Sequence, residues 1–416
     1  MDKKAYNFSE AQRPLPAARK FASDPRYPQP IPAPRIHLIF NAIRGIMNTT
    51  PMSKKPTIVD IAKAVGVSTA TVSRALHNHQ NVTDKTKSRV LQMAKKMGFK
   101  PNLAARYLSS KRAVRISVNT LQGTTSFWNE VRTGIEDERQ SLDLENVQLE
   151  YRTYPQLGDG EFAAFEEAME TGVNGIISFP SNPDSMKPLM RWASRQKIPV
   201  VYVATDAPGT GRLAVVQVDT FASGSLAADL MGRIVQTPGK VAVTLFRAAI
   251  TEHAEKYKAF RDTMARFYPA LSVLDPIEDH DIDRISYEKT KKVIEENPDL
   301  TGIYVTTEAS MPVIQAARDA GALDRLTIVT TDLFPELVKQ LRTGAVAATI
   351  YQRPRTQGRM AFRALYQYLI EGETPTSQIT FAPHLVMRGN LDFFLERIAG
   401  ESETRAPKAR SSVGLD

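Results

Sequence analysis

The stretch from Lys55 to Arg112 constrains this chain most, because its apolar positions admit one compact, all-helical arrangement. Ile58, Ile61, Ala62 and Val65 recur at i, i+3, i+4 and i+7, so they line one face of a short helix. Thr57 is placed to cap that helix and Gly66 to stop it. Ser68 can cap a second helix with Val72 and Leu76 on its inner face. Two short helices joined by a tight glycine turn form a helix-turn-helix unit. A third helix is expected after Thr83, ending at Gly98, with Val90, Leu91, Ala94 and Met97 closing the small core.

The outer face of the second helix carries Thr69, Ala70, Ser73, Arg74 and His77. Short polar groups beside one guanidinium can lie flat in a DNA major groove while the arginine reaches a guanine edge. Ser53 to Arg112 holds 13 Lys or Arg against 2 Asp, whereas the whole chain is only +9. A local excess of that size is an electrostatic footprint for phosphates. The bland alternative is a three-helix domain with a solvated basic surface. The segment PNLAARYLS (101–109) follows, too short to be a stable isolated helix in water.

Read together, TIVDIAKAVGVSTATVSRALHNHQNVTDKTKSRVLQMAKKMGFKPNLAARYLSS resembles, without a gap, the DNA-binding head and hinge of the lac-repressor (LacI/GalR) family. The resemblance puts Thr69, Ala70 and Arg74 where that family reads bases. It puts Thr57, Ser68, Thr71, Ser73, His77 and Asn81 at or near phosphate contacts. Ala105 and Leu108 match hinge residues that enter the minor groove, Leu108 as an apolar wedge. Out of that context Leu108 would read as a core leucine.

Residues 1–52 hold 8 of the 26 prolines, are basic and lack periodicity over most of their length, so a disordered extension is expected. The run IHLIFNAIRGIM is interrupted by Arg44 and has no small-residue cleavage site after it, which argues against a signal peptide. Two readings stay open: a genuine basic arm, or translation starting at Met52, since MSKKPTIVDIAK resembles the usual start of such heads. The chain has no cysteine, which removes disulfides, thiolate metal sites and a catalytic thiol and suits a reducing cytoplasm. No apolar run is long enough to span a bilayer.

After the hinge (101–112), short apolar strands alternate with amphipathic helices. Strands are expected at 115–119, 147–154, 175–179, 199–204, 214–219, 240–246, 302–306, 327–332 and 346–351, with helices such as Phe127 to Leu142 and Phe221 to Val235 between them. Repeated β-α alternation implies parallel sheets covered by helices, here in two lobes, with ligands at the carboxyl ends of the strands. The fold class is therefore α/β: an N-terminal all-α helix-turn-helix head (53–100) plus a two-lobed parallel α/β domain (113–396), followed by a flexible tail (397–416). The larger part resembles the periplasmic sugar-binding fold that serves this family as effector and dimerisation domain. By that resemblance the first lobe takes 113 to about 217 with a return near 352–375. The second takes most of 218–350 and the C-terminal strands.

A sugar pocket needs aromatic faces and planar polar groups. Phe127 and Trp128 follow the first strand; both also read as core residues at a helix start. Asp332 and Gln352 match the family's sugar-contacting positions. Asp206 aligns less clearly and also reads as a turn aspartate before Pro208. Two departures concern the ligand. KYKAF places Lys256 where the family often has arginine, which keeps the charge and loses the bidentate fork. Thr307-Glu308 replaces the usual Asn-Asp. Arg247 could compensate for Lys256 or lie on the surface.

No GxSxG, HExxH or GxxxxGK[ST] motif occurs, and the six histidines show no standard metal-ligand spacing. The acidic run EDHDID (278–283) lacks the glycine and terminal glutamate of a calcium loop and reads as a solvated loop. No cofactor, metal or catalytic activity is expected. The resemblance implies a homodimeric transcription regulator, a repressor by default, with operator DNA and a sugar or polyol as partners. It would work in the cytoplasm on the nucleoid. A solute-binding protein without a regulatory role is the alternative.

Overall fold

The computed structural model describes residues 57–76, 82–97, 113–122, 126–142, 146–155 and 158–403. The extension (1–52), the hinge (101–112) and the positions His77, Asn81, Ala105 and Leu108 lie outside the described residues. The chain divides into two compact units, 1–99 and 100–416.

The head contains α1 (Ile58–Val65), α2 (Thr69–Leu76) and α3 (Asp84–Lys96). A capping box starts α1: the Thr57 side chain accepts from the Asp60 amide, and the Asp60 carboxylate accepts from the Thr57 amide at 2.8 Å. Gly66, in the left-handed region at φ 73°, ends it. Ser68 Oγ accepts from the Thr71 amide at 3.1 Å and so caps α2, while Thr83 caps α3. Arg89 reaches back from α3 to the Val65 carbonyl at 2.9 Å, tying α3 to the end of α1. Ile61, Ala62, Val65, Val72, Ala75, Val90 and Ala94 form the core. Leu91, expected inside, is 44 % exposed. Val90 and Ala94, at i and i+4, are buried as expected, and Leu91 falls one position off that stripe.

The larger unit holds two sheets. The first has the order β12-β5-β4-β3-β1-β2 and is parallel throughout, built from β1 (Val114–Leu121), β2 (Val147–Tyr154), β3 (Gly175–Ser178), β4 (Val200–Val203), β5 (Ala214–Val218) and β12 (Gln378–Phe381). The second has the order β13-β11-β10-β9-β6-β7. It comprises β6 (Gly239–Leu245), β7 (Leu271–Val273), β9 (Leu300–Val305), β10 (Thr327–Thr331), β11 (Ala348–Tyr351) and β13 (His384–Val386). The short β8 (Ile277–Glu278) pairs with β6, and only β13 runs antiparallel. Each sheet is covered on both faces, as four apolar clusters require.

The lobes exchange chain after β5, after β11 and between β12 and β13. The C-terminal strands, expected together in the second lobe, are thus shared between the sheets. The helix α13 (Leu391–Glu403) continues past the boundary expected at 396.

In the first lobe α4 (Ser126–Ser141) packs on the returning helix α12 (Pro354–Tyr366), which continues as a π-turn to Glu371. Glycine permits this approach: a Cβ on Gly134 would lie 2.0 Å from the Arg355 carbonyl oxygen, and one on Gly358 2.0 Å from that of Val131. The buried ion pair Arg355–Asp137 (2.6 Å) fixes the register. Gly134→Ala should therefore cost about 1–3 kcal/mol through overpacking, read as a lowered melting temperature. Gly389→Ala, with nothing within 4 Å of its new Cβ, should leave melting unchanged. Equal melting of both variants would contradict the packing argument.

Candidate functional site

Six non-glycine residues among those described have φ in the left-handed region: Lys197, Ala204, His280, Asp281, Asp332 and Arg353. Lys197 ends a helix, α6 (Pro183–Gln196). The other five all sit just past the C-terminal ends of β4, β8, β10 and β11. Left-handed backbone at such residues is sparsely populated and gathers at functional sites. Here it marks the edge where ligands of parallel α/β folds bind.

Lys256 lies at the centre. It sits on α8 (Thr251–Phe267) and has no solvent-exposed surface. Its Nζ donates to Glu252 Oε1 at 2.5 Å, to the Thr306 carbonyl at 3.1 Å and to Gln352 Oε1 at 2.9 Å. Gln352 Nε2 in turn donates to Asp332 Oδ2 at 2.8 Å, and its backbone amide to Asp332 Oδ1 at 3.2 Å. Burial works against the ammonium charge, but Glu252, Tyr304 and Asp332 outweigh it and hold the Lys256 pKa above its ordinary value. Burial pushes Asp332 up to about 7; Lys256 and Gln352 pull it down and Glu308 adds upward pressure.

Asp332 also lines a cavity of about 620 Å³ with Ser126, Phe127, Phe334, Tyr351 and Leu395, within the range of small-molecule sites. Its walls come from the start of α4, the loop after β10, and α13. Thr307 is buried, its hydroxyl accepts from the Ala309 amide at 3.1 Å, and it pulls the pKa of the nearby Asp281 downward. Asp281 is exposed, and crowding by neighbouring protein atoms and then the charge of Asp279 push its pKa up, to about 7. Across the cleft, Glu308 Oε1 accepts from the Ser126 amide at 2.9 Å and Oε2 from the Phe127 amide at 3.2 Å. The Glu252 amide donates to Thr205 Oγ1 of the first lobe at 3.2 Å.

The structure brings together Lys256, Gln352, Asp332 and Phe127 around this edge, with Thr307 beside Asp281. Trp128 is 5 % exposed, packed against Phe127 and Phe179 in the first-lobe core, where its alternative reading put it. Asp206 is held by Arg212 through both oxygens at 2.5 and 2.6 Å. Arg247 lies over the Phe246 ring and donates to His280 Nδ1 at 2.9 Å. The run 278–283 is not a solvated loop throughout, because Asp279 is fully buried. Glu252 and Glu308 were missing from the expected site. Glu252 was detectable as the carboxylate four residues before Lys256 on one helix; Glu308 was visible only as a departure from Asn-Asp.

In the head, Thr69, Ala70 and Arg74 are exposed on one side of α2. Thr57 and Ser68 are exposed, with their side chains already committed to helix caps. Thr71 and Ser73 are half-buried.

Residues 57–102 match the profile of bacterial regulatory proteins of the lacI family, and residues 116–374 that of a periplasmic binding protein domain. The chain belongs to the LacI family of regulators, with a periplasmic-binding-protein domain as its body. It is 27 % identical to catabolite control protein A of Priestia megaterium over 342 residues, 79 % of this chain and 97 % of that protein. It is 28 % identical over 210 residues to the HTH-type transcriptional regulator DegA of Bacillus subtilis, half of this chain and 61 % of the relative. Among solved structures, the glucose-galactose binding protein GanP of Geobacillus stearothermophilus superposes with TM-score 0.63 at 21 % identity, over 67 % of this chain and 99 % of its own. A solute-binding protein of Agrobacterium vitis with bound α-D-tagatopyranose gives 0.64 at 19 %, over 68 % of this chain and 98 % of its own. The chain is thus a DNA-binding transcription regulator with an effector domain of the sugar-binding type. No helix among the described residues is long and apolar enough to cross a membrane.

Asp332 gives a pH test. A carboxyl whose pKa is raised in the folded state binds protons more tightly there, so its contribution to stability falls as pH rises from about 4 through about 7. The melting temperature of Asp332→Asn relative to the wild type should therefore climb between pH 5 and pH 8. A constant difference across that range would show that Asp332 titrates normally.

Proposed function

We propose that the chain is a homodimeric repressor whose operator affinity is set by a neutral sugar or polyol bound between the lobes. One observation carries the effector class: the strand-end site offers carboxyls and hydroxyls, while its buried cation, Lys256, is already bonded to Glu252 and Gln352. Carboxyls and amides in that pattern suit a ligand rich in hydroxyl donors and devoid of negative charge. Fold neighbours that carry or are named for monosaccharides support the same reading.

Two heads would enter successive major grooves of a near-palindromic operator through α2, with Arg74 reading a guanine. The hinge (101–112), with Ala105 and Leu108 in the minor groove, would couple lobe arrangement to the DNA. The effector changes operator affinity only through its preference between lobe arrangements, typically ~1–3 kcal/mol of coupling. The chain would catalyse no reaction and act in the cytoplasm, on the nucleoid.

Fluorescence anisotropy on a duplex selected from random DNA tests both ends of this reading. Arg74→Ala should lose about 1–3 kcal/mol of preference for the selected duplex over a scrambled one, with little loss of nonspecific affinity. A monosaccharide that raises the melting temperature of the wild type should also change its affinity for that duplex. Undiminished discrimination by Arg74→Ala, or sugar binding without effect on DNA, would contradict it.

A further inference from the structure

The geometry points to Glu308 as an internal anion that bridges the lobes and bars negatively charged effectors from the cleft. Glu308 follows β9 in the second lobe, yet both its carboxylate oxygens bond the first two amides of α4 in the first lobe. The opening amides of a helix have no partners within it, and a helix of 16 residues presents a partial positive charge there. Such an end is where a phosphate or carboxylate of a ligand would bind. In this protein the chain's own carboxylate is already bound there.

The carbonyl of Glu308 accepts from the Ser310 amide at 2.7 Å, but its side chain is not needed by its own helix, α10 (Ser310–Asp319). The Ala309 amide beside that helix start is satisfied by Thr307 Oγ1 at 3.1 Å. The surroundings add to the barrier against anions. Glu308 faces Asp332 and Asp281 closely enough to raise the pKa of each. An anionic effector would have to displace Glu308 and then face these carboxyls, with Lys256 committed elsewhere and Arg342, which also lines the cavity, paired with Asp392 at 2.9 Å. A neutral ligand meets no such opposition. Side-chain length matters as well, since aspartate at 308 would be one methylene shorter and would fall short of the α4 amides.

The bridge rests on the two hydrogen bonds of Glu308, whereas exclusion of anions rests on the cleft being the effector site. Residue-resolved hydrogen exchange on the full chain without sugar tests it, using wild type, Glu308→Ala and Glu308→Asp, each with and without inorganic phosphate. The Ser126 and Phe127 amides should exchange about tenfold or more faster in both variants than in wild type, as loss of a charge-assisted hydrogen bond implies. Amides of β9 should keep their wild-type rates in Glu308→Asp, which guards against unfolding. Phosphate should slow exchange at Ser126 and Phe127 in Glu308→Ala and leave the wild type unchanged. Equal rates in wild type and both variants would overturn the bridge. Phosphate protection of the wild type would overturn the exclusion of anions, and none in Glu308→Ala would overturn Glu308 as the group responsible for it. Because no sugar is used, a chain that binds no sugar would defeat the effector reading and leave this result standing.

Discussion

The arrangement of the cleft depends on one fully buried ammonium. A lysine with no exposed surface is tolerable only if its charge is matched and every donor is used. Lys256 meets that condition with a carboxylate from its own helix, a carbonyl from the end of β9 and an amide from the end of β11. Three elements are thereby held at fixed separation at the strand-end edge. Gln352 passes the constraint to Asp332, whose left-handed backbone is stabilised by these bonds. Gly224 brings the backbone of α7 (Thr220–Ile234) against α8 at this same residue: a Cβ there would lie 2.2 Å from the Lys256 carbonyl oxygen.

Around this pinned edge the lobes meet through few polar contacts, chiefly Glu308 with α4 and Glu252 with Thr205. Phe246 and Ile250, which leave the second lobe after β6, are buried in the first-lobe cluster. A joint of this kind can open without breaking either sheet. Each sheet is parallel, apart from β13, and covered on both faces, so strain introduced at the cleft would be transmitted by rigid-body movement.

Much of this was legible in the sequence. Every strand expected up to β6, and β9 to β11, begins and ends within two residues of its observed limits; for the central strands this is because a strand buried on both faces reads as a near-continuous apolar run. Thr57, Gly66, Ser68 and Thr83 terminate helices as their chemistry dictates. The division of β12 and β13 between sheets was not legible, since a two-residue link encodes no lobe. Residue type placed Leu91 inside with Val90, but only Val90 lies on the buried stripe of α3. Residue type placed Trp128 and Asp206 near the cleft, but the Phe179 ring and Arg212 that claim them are set by tertiary packing. Glu308 escaped for the same reason: its partners lie some 180 residues away.

The most direct test of the central constraint is a double-mutant cycle on Lys256 and Glu252, followed by chemical denaturation. Lys256→Met and Glu252→Gln each strand one buried partner, and each should cost about 3–5 kcal/mol. The double variant should cost far less than their sum, because neither charge remains. Additive losses would mean that the two groups act independently and that the ammonium does not organise the cleft.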